Sequence, residues 1–326
     1  MSFMKAMKNE ALENFNDSIT ENGAVGYRST GKALLDINFS VASLRSATEN
    51  EIIHRFYTAF LENKILALKW LFFARDVRGG LGERRLFRVV MKYIAKQEPD
   101  LARRVIALVP EYGRYDDLWE LLDNNTLRPY IVELVSRQLA SDIENSHTKK
   151  PISLLGKWMP SANASSATTK RYAKILRNSL KMKEKEYRRT LSALRKYIDV
   201  VEVKMSSKMW GKIDYETVPS RANLIYNNAF LRNDENRRRA FLESLEKGEA
   251  KINAGTLFPH DIVHKYSHKM SWDKRIKEYD ATIEELWKNL PNLVEANSNT
   301  IVVADGSGSM DTTIGGTSTT ALEVAN

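Results

Sequence analysis

The residues with the clearest capacity for chemistry lie near the C-terminal end of the sequence, in Asp305-Gly306-Ser307-Gly308-Ser309. The carboxylate of Asp305 and the hydroxyls of Ser307 and Ser309 alternate along this stretch, so all three oxygens can face one hard cation, and the glycines let the backbone bend around it. Oxygen ligands of this kind suit Mg²⁺. Asp305, Ser307 and Ser309 are therefore the predicted ligands of a Mg²⁺ ion.

A second group of chemically relevant residues is a cluster of cations between positions 151 and 200. Twelve Lys or Arg residues stand there against three acidic residues, so the segment holds the whole formal net charge of +9. Such clustering is expected of a surface that binds phosphates, although the cations could also form the solvated face of a long helix. The predicted RNA contacts are Lys170, Arg171, Tyr172, Lys174, Arg177, Arg188 and Arg189, with Tyr172 expected to stack on a base.

The elements that must position these cations are helices on either side of a turn. A loop of small residues from 161 to 169 precedes them, as a linker or as a mobile binding loop. Further along, Tyr187, Leu191, Leu194 and Ile198 recur at i, i+4, i+7 and i+11, which places them on one face of a helix. This helix is expected to pack on its apolar side and to present its cations on the other.

The pattern of the remaining chain is also helical. From residue 49 onward, apolar residues recur at helical spacing in segments of about ten to fifteen residues with short connectors. This rhythm predicts a mostly α fold, with a HEAT-like array of stacked helix pairs, or alternatively a compact all-helical domain. Near the end, the β-branched run 299–304 predicts a buried strand that leads into the Asp305 loop, and 319–325 predicts the next helix.

The composition limits the class of protein. The chain has 326 residues, of which 43% are hydrophobic and 28% charged, so it has room for about two domains or one extended array. The absence of cysteine excludes disulfides, thiolate-bound metals and cysteine nucleophiles, and it fits a reducing compartment. The N-terminal residues lack a signal peptide's apolar region, and the apolar run 70–74 is too short to span a bilayer. A cytoplasmic protein without a membrane partner is expected.

Distinctive motifs follow one another along the helical part. They are Asn22 to Ala24, Tyr27 to Leu35, Arg75 to Arg84, Pro110 to Leu118, Lys157 to Ser161 and Glu186 to Arg188. Their order resembles that of the TROVE-like family, which includes the Ro autoantigen and an uncharacterised branch in phages, bacteria and plants. The Asp305 loop likewise resembles the metal-ion-dependent adhesion site that opens a von Willebrand A domain.

These resemblances carry expectations about architecture and ligands. They imply a TROVE-like helical region over residues 1–297 and, over residues 298–326, the first strand and metal loop of an incomplete von Willebrand A domain. They also imply a small non-coding or structured RNA as the ligand. The Mg²⁺ site would recruit an acidic protein partner, whose carboxylate completes the coordination of the metal.

Glycines and carboxylates in the helical part have two interpretations. Gly79, Gly80 and Gly82 fit a backbone that approaches a phosphate, but a tight turn between two helices is favoured. Asp116 is predicted to cap a helix over 117–122. Asp76, Asp116 and Asp117 could form a carboxylate cluster for acid/base chemistry, but caps and ion pairs with Arg75, Arg78 and Arg114 are favoured.

Three histidines, His260, His264 and His268, share one face of a predicted helix and could hold a metal. The Glu that accompanies such histidines in His-Glu-x-x-His sites is missing, so an ordinary helix is favoured. The sequence as a whole predicts a non-enzymatic, RNA-binding protein with a Mg²⁺-dependent site for a protein partner. The alternative is a protein–protein interaction scaffold whose positive face is merely solvated.

Overall fold

The computed structural model describes residues 17–19, 23, 25–267, 279–292, 301–314 and 317–325. Within these ranges the chain is mostly α-helical, which confirms the mostly α character predicted from the apolar periodicity. A short antiparallel pair of strands, β1 (Asp17–Ile19) and β2 (Val25–Tyr27), was not predicted. None of the described helices is long and apolar enough to cross a lipid bilayer.

The first part of the chain forms eight helices among the described residues. These are α1 (Ala33–Phe39), α2 (Glu49–Glu62), α3 (Lys64–Arg75), α4 (Arg84–Gln97), α5 (Pro99–Val105), α6 (Val109–Tyr112), α7 (Arg128–His147) and α8 (Leu155–Trp158). Short 3-10 turns cover Ser43–Arg45 and Ile106–Leu108, and a longer 3-10 segment covers Tyr115–Asp123. The last of these begins after Arg114, so the predicted cap at Asp116 and the predicted α-helix over 117–122 were wrong.

The second part of the chain is also helical where it is described. It contains α9 (Ala167–Ser179), α10 (Glu184–Tyr197), α11 (Val201–Ser206), α12 (Ser220–Asn233), α13 (Glu235–Glu246), α14 (Pro259–Ser267), α15 (Ala281–Lys288) and α16 (Ala321–Ala325). Further 3-10 turns cover Trp210–Lys212 and Gly308–Asp311.

The connection between α3 and α4 shows why its glycines are needed. A Cβ atom added to Gly80 would overlap the backbone oxygen of Phe73, and Gly82 has a φ of +70°, in the left-handed region. The chain turns back tightly, since the backbone N–H of Leu81 donates to the oxygen of Phe73 at 3.1 Å. These glycines therefore serve the tight turn that was favoured, and the turn sets where α4 begins.

Buried apolar side chains form separate clusters. The N-terminal core comprises the buried residues from Ile37 to Leu194, on helices α1 to α10. Two C-terminal clusters, one from Val201 to Phe230 and one from Leu224 to Leu286, lie on helices α11 to α15 and their connections. The basic helices α9 and α10 therefore belong to the same core as α4 and the Tyr115–Asp123 segment.

The predicted strand at 299–304 is not formed in its described residues. Residues 301–304 lack regular secondary structure, and Ile301, Val302 and Val303 are 82–90% exposed. An apolar run becomes a strand when a neighbouring strand accepts its backbone hydrogen bonds, and this run pairs with no described residue.

The helix predicted after the Asp305 loop is present as α16, which packs against α14. The Nδ1 atom of His264 on α14 lies 2.9 Å from Oε1 of the buried Glu323 on α16. His264 thus joins two helices, while His268 lies outside the described residues. The described residues contain no group of three or more His, Cys, Asp or Glu side chains that could hold a metal.

Candidate nucleic-acid interface

The predicted RNA contacts lie on α9 and α10. Both helices bury one side in the N-terminal core, α9 through Tyr172 and Leu176 and α10 through Tyr187 and Leu191. The side chains of the cations lie on the remaining surface of each helix, as the helical spacing predicts. The two helices therefore present a basic surface on one side and pack in the N-terminal core on the other.

Arg171 and Tyr172 are engaged with the neighbouring 3-10 segment. Nη2 of Arg171 donates to Oδ2 of Asp123 at 2.9 Å, and the Tyr172 hydroxyl donates to the same oxygen at 3.1 Å. The Arg171 guanidinium also lies 4.7 Å from the centroid of the Tyr172 ring, and Tyr172 is only 8% exposed. Burial and the bond to Asp123 raise the pKa of Tyr172 to about 12. The prediction that Tyr172 stacks on a base does not fit this geometry, because the ring is buried and covered by Arg171.

The other predicted contacts differ in how far they are engaged. Nη1 of Arg177 lies 2.6 Å from Oε2 of Glu184, which neutralises its charge locally. Among the predicted contacts, Lys170 and Lys174 on α9 and Arg188 and Arg189 on α10 are exposed and have no ion pair in the described part of the chain. These four charges are available to an anionic ligand.

A cleft of about 670 Å³ lies beside α9. One wall is formed by α4, where Arg84, Arg88 and Lys92 recur at i, i+4 and i+8 and so share a face. The Tyr115–Asp123 segment forms a second wall, and residues 157–161 form a third. The loop of small residues, together with the start of α9, borders the cleft, so this loop is part of a site rather than a linker between separate units.

A buried ion pair supports the wall formed by α4. Arg75 and Asp117 are each 2% exposed, and the Nε and Nη2 atoms of Arg75 lie 2.9 and 2.8 Å from Oδ2 of Asp117. The other carboxylate oxygen of Asp117 accepts from Nε of Arg88 at 2.7 Å. Burial alone would raise the pKa of Asp117, but Arg75 and Arg88 outweigh this effect and hold the pKa below its usual value. The predicted ion pair of Asp117 with Arg75 is thus confirmed, whereas its ion pair with Arg88 was not predicted.

Gly113 is required where the chain passes this ion pair. A Cβ atom at this position would lie 2.8 Å from Oδ2 of Asp117 and 3.1 Å from Nε of Arg75. The next residue, Arg114, donates its backbone N–H to Oδ2 of Asp117 at 3.0 Å. The glycine of the Pro110 to Leu118 motif therefore admits a charged pair into the space that a side chain would fill.

The wall at 157–161 is held by α10. The guanidinium of Arg195 donates to the backbone oxygens of Gly156 at 2.9 Å and Met159 at 2.8 Å, and to Oγ of Ser161 at 2.9 Å. The hydroxyl of Tyr187 donates to the backbone oxygen of Pro160 at 2.8 Å. Burial lowers the pKa of Arg195, which nonetheless remains a cation near neutral pH.

Two further grooves continue from the cleft along α10. The first shares Ser161 and Arg195 with the cleft and adds Arg188 and Lys196. The second shares Arg188 and Ser192 with the first and adds Lys185 and Arg189. We call the cleft and these two adjoining grooves the cationic track. It connects α4 to the exposed cations of α10.

Comparison with known proteins places the chain in a family. A family model described as a domain of unknown function, DUF2828, matches residues 20–123 and 164–299, which is most of the chain. The chain belongs to the DUF2828 family. An uncharacterized protein, L728 of Acanthamoeba polyphaga mimivirus, is 28% identical over 332 residues, which cover 90% of this chain and 56% of the relative. The DUF2828 chain thus spans little more than half the length of this relative. No solved structure matches it.

This assignment corrects the resemblance to the TROVE-like family, because neither a TROVE nor a von Willebrand A model matches the chain. The individual motifs exist and several of them meet at the cleft, but the family to which they belong is DUF2828. The RNA ligand and the acidic partner lose the support of that resemblance. A functional proposal for the DUF2828 chain must therefore rest on its own surface.

Sequence reasoning missed the cations of the cleft. Arg84, Arg88, Lys92 and Lys157 were not among the predicted RNA contacts, although three of them line the cleft from one helix. The spacing of Arg84, Arg88 and Lys92 was the available signal, because i, i+4 and i+8 share a helical face.

The predicted Mg²⁺ ligands lie close together in one exposed loop. Oγ of Ser307 is 2.9 Å from Oγ of Ser309, and the backbone N–H of Ser307 donates to Oδ1 of Asp305 at 2.9 Å. This hydrogen bond lowers the pKa of Asp305, which keeps the carboxylate charged. One carboxylate and two neighbouring hydroxyls are chemically suited to Mg²⁺, and a metal held there would keep several waters.

Proposed function

We propose that this DUF2828 protein is a non-enzymatic RNA-binding protein that takes a single strand along the cationic track. The observation that supports the proposal is the continuity of the three depressions, which share wall residues and all carry cations. A groove lined by positive charge suits the backbone of a flexible strand, which carries one negative charge per nucleotide.

The difference between the cations that form ion pairs and those that do not supports the same proposal. Arg75, Arg171 and Arg177 are matched with carboxylates, so they hold elements together. Arg188 and Arg189 have no ion pair within the described ranges and line the grooves along α10. Cations that remain unpaired on a packed helix can release counterions when they meet phosphates.

A helical-repeat architecture forms part of this proposal. Consecutive helices that bury one face and expose the other, as α9 and α10 do, are the units from which HEAT-like arrays are built. In such an array, neighbouring helices present a continuous surface, which suits an extended strand better than a compact ligand.

The test is equilibrium binding of a short single-stranded oligoribonucleotide over a series of salt concentrations. Four track cations are replaced by alanine together, namely Lys185, Arg188, Arg189 and Lys196. The matched control removes four exposed cations of the second half of the chain, namely Arg232, Arg239, Lys247 and Lys251. We expect the track variant to bind far more weakly and its slope of log K against log salt to fall by about three.

The alternative function, a protein–protein interaction scaffold, predicts a different result. Affinity for RNA would then be low and would fall equally in the track variant and in the control variant. Salt-insensitive binding by the unmodified protein, or equal losses in both variants, would count against the RNA proposal.

We also propose that the Asp305 loop binds Mg²⁺ and that the bound ion recruits an acidic protein partner. The 2.9 Å separation of the Ser307 and Ser309 hydroxyls supports this proposal. Calorimetric titration with MgCl₂ tests the metal step. Binding should be lost in Asp305→Asn and kept in Asp311→Asn, which changes a carboxylate of the same loop; equal heats in all three proteins would disprove the site.

A further inference from the structure

The arginines of the cleft differ from the cations of α10 because they converge on one carboxylate. Nη2 of Arg84 contacts Oδ2 of Asp116, Nη2 of Arg88 lies 3.4 Å from the same oxygen, and Nε of Arg114 lies 3.1 Å from Oδ1. Three guanidiniums from α4 and from the start of the 3-10 segment thus surround a single anionic group at the wall of the cleft. A carboxylate so surrounded marks a place that favours an oxyanion.

These guanidiniums are also held in place by contacts with Asp117 and Trp158. The buried Asp117 accepts from Nε of Arg88 at 2.7 Å and from Nε of Arg84 at 3.4 Å, and it is itself held by Arg75. The Arg114 guanidinium lies 4.2 Å from the centroid of the Trp158 ring. Asp116 and Asp117 therefore act as positioning residues, because they hold the arginines in place before a ligand arrives.

The cleft retains an excess of positive charge after these pairs are counted. Apart from the Arg75–Asp117 and Arg171–Asp123 pairs, its surroundings hold six cations and three carboxylates. The cations are Arg84, Arg88, Lys92, Arg114, Lys157 and Arg195, and the carboxylates are Asp116, Glu120 and Glu49, which lies 3.8 Å from Lys92. An anion with more than one negative charge matches this excess better than a singly charged group does.

Several donors remain available for such an anion. Nη1 of Arg84, Nη1 of Arg114 and Nζ of Lys157 donate to no acceptor among the described residues. Arg84 lines the cleft and is 42% exposed at its side chain. Arg114 is 30% exposed and contacts Asp116 and Trp158, which both line the cleft. A phosphate with three free oxygens could accept from all of these groups, whereas a phosphodiester has two free oxygens and one charge.

We infer that the cleft binds a terminal phosphomonoester of an RNA strand, with Arg84, Arg114 and Lys157 as its phosphate ligands. This inference rests on the proposed function, since the rest of the strand would follow the cationic track. It adds a preference for a particular strand end, which the track alone would not give.

The experiment compares three versions of one oligoribonucleotide: with a 5′-phosphate, with a 3′-phosphate, and with hydroxyls at both ends. We expect one phosphorylated version to bind about tenfold more tightly than the hydroxyl version, as expected for one or two additional charge-assisted hydrogen bonds. Equal affinity of the three strands for the unmodified protein would overturn the inference while leaving the RNA proposal intact.

Variants separate the cleft from the track. Lys157→Gln and Arg84→Gln should abolish the preference for the phosphorylated end, so that each variant binds the three strands with equal affinity. The Arg188→Ala, Arg189→Ala double variant should weaken all three strands alike and keep the preference. Lys157 belongs to no ion pair among the described residues, so its variant tests the site even if Arg84→Gln fails to fold. A preference that survives in Lys157→Gln and in a folded Arg84→Gln would contradict the assignment of these ligands.

Adenosine monophosphate, used as a competitor, distinguishes a strand end from a free nucleotide. Weak competition by this compound supports a strand end, because the track adds contacts that a mononucleotide cannot make. Tight binding of adenosine monophosphate together with no binding of any strand would overturn both this inference and the proposed function.

Discussion

Two buried arginines, one in each half of the molecule, are stabilised in opposite ways. Arg75 in the N-terminal core pairs directly with the carboxylate of Asp117. Arg238 on α13 is fully buried and donates to neutral oxygens instead, those of Asn223 at 3.1 Å, Asn227 at 3.3 Å and Thr282 at 3.4 Å. Its guanidinium also lies about 5 Å from the centroids of three aromatic rings, those of Tyr215, Phe230 and Phe241.

The difference between the two arginines indicates that the two regions have different roles. The Asp117 network extends through Arg84 and Arg88 to the surface of a cleft, so it links the core to a site. The surroundings of Arg238 end inside the C-terminal clusters, and burial lowers the pKa of Arg238 to about 10, so it stays charged at neutral pH. We interpret the first arrangement as functional and the second as structural.

The largest effect expected in this comparison comes from Asp117→Asn. This change leaves Arg75 buried without an anionic partner, and we expect a loss of about 3–5 kcal/mol in the free energy of unfolding. Urea unfolding measures it, with Asp100→Asn as the control, because Asp100 is 86% exposed and should matter little. Similar losses in the two variants would mean that the network does not stabilise the N-terminal core.

A smaller effect is expected from Arg238→Met. The apolar side chain fits the aromatic surroundings, but Asn223 and Asn227 lose a donor, so the loss should be about 1–3 kcal/mol. RNA affinity should not change. Arg239→Met provides an exposed control on the same helix, and a fall in RNA affinity without a fall in stability would contradict the separation of the two regions.

Acid should weaken the N-terminal region through Asp117. Its folded pKa is depressed, so its contribution to stability is fully present above the unfolded pKa of about 3.9 and is lost as pH falls through the folded value. The double variant Arg75→Met, Asp117→Leu should therefore lose less stability than the unmodified protein between about pH 4 and pH 2. Parallel pH profiles from urea unfolding would rule this out.

The smallest effect expected is that of Tyr172→Phe. It removes the hydroxyl that donates to Asp123, so stability should fall by about 1 kcal/mol. RNA affinity should be unchanged, because the ring is buried. Tyr27→Phe, at a residue that is 74% exposed, is the control for stability. Because phenylalanine keeps the aromatic ring, a marked loss of RNA affinity would mean that the Tyr172 hydroxyl, or the Asp123 contact that it makes, takes part in binding.

Most of the helices could be predicted from the sequence, because apolar spacing records which face of each helix is buried. The buried Leu191 and Leu194 with the exposed Arg188 and Arg189 on α10 are one example. The tight turn at Gly80 could also be predicted, since it depends on neighbours close in sequence. Helices and turns of this kind depend on residues close in sequence, so the local sequence is enough to predict them.

The cleft could not be predicted because its walls come from distant parts of the chain. Nothing in the spacing within α4 indicates that Arg84 and Arg88 meet Asp116, or that Arg114 lies over Trp158. The expected strand at 299–304 failed for a related reason, since pairing depends on partners elsewhere. Tyr172 was misjudged because sequence gives the character of a ring but not whether a neighbouring arginine covers it.

The hydrogen bonds that Arg195 donates to residues 156–161 affect the order in which the cleft is assembled. The α4 wall and the Tyr115–Asp123 segment are synthesised well before Arg195, whose hydrogen bond to Gly156 spans 39 positions. During synthesis from the N-terminus, the early helices can pack while the third wall still lacks its anchor. The nascent protein would thus complete the walls of its cleft only after α10 has left the ribosome, so the cleft and the basic surface of α10 form together.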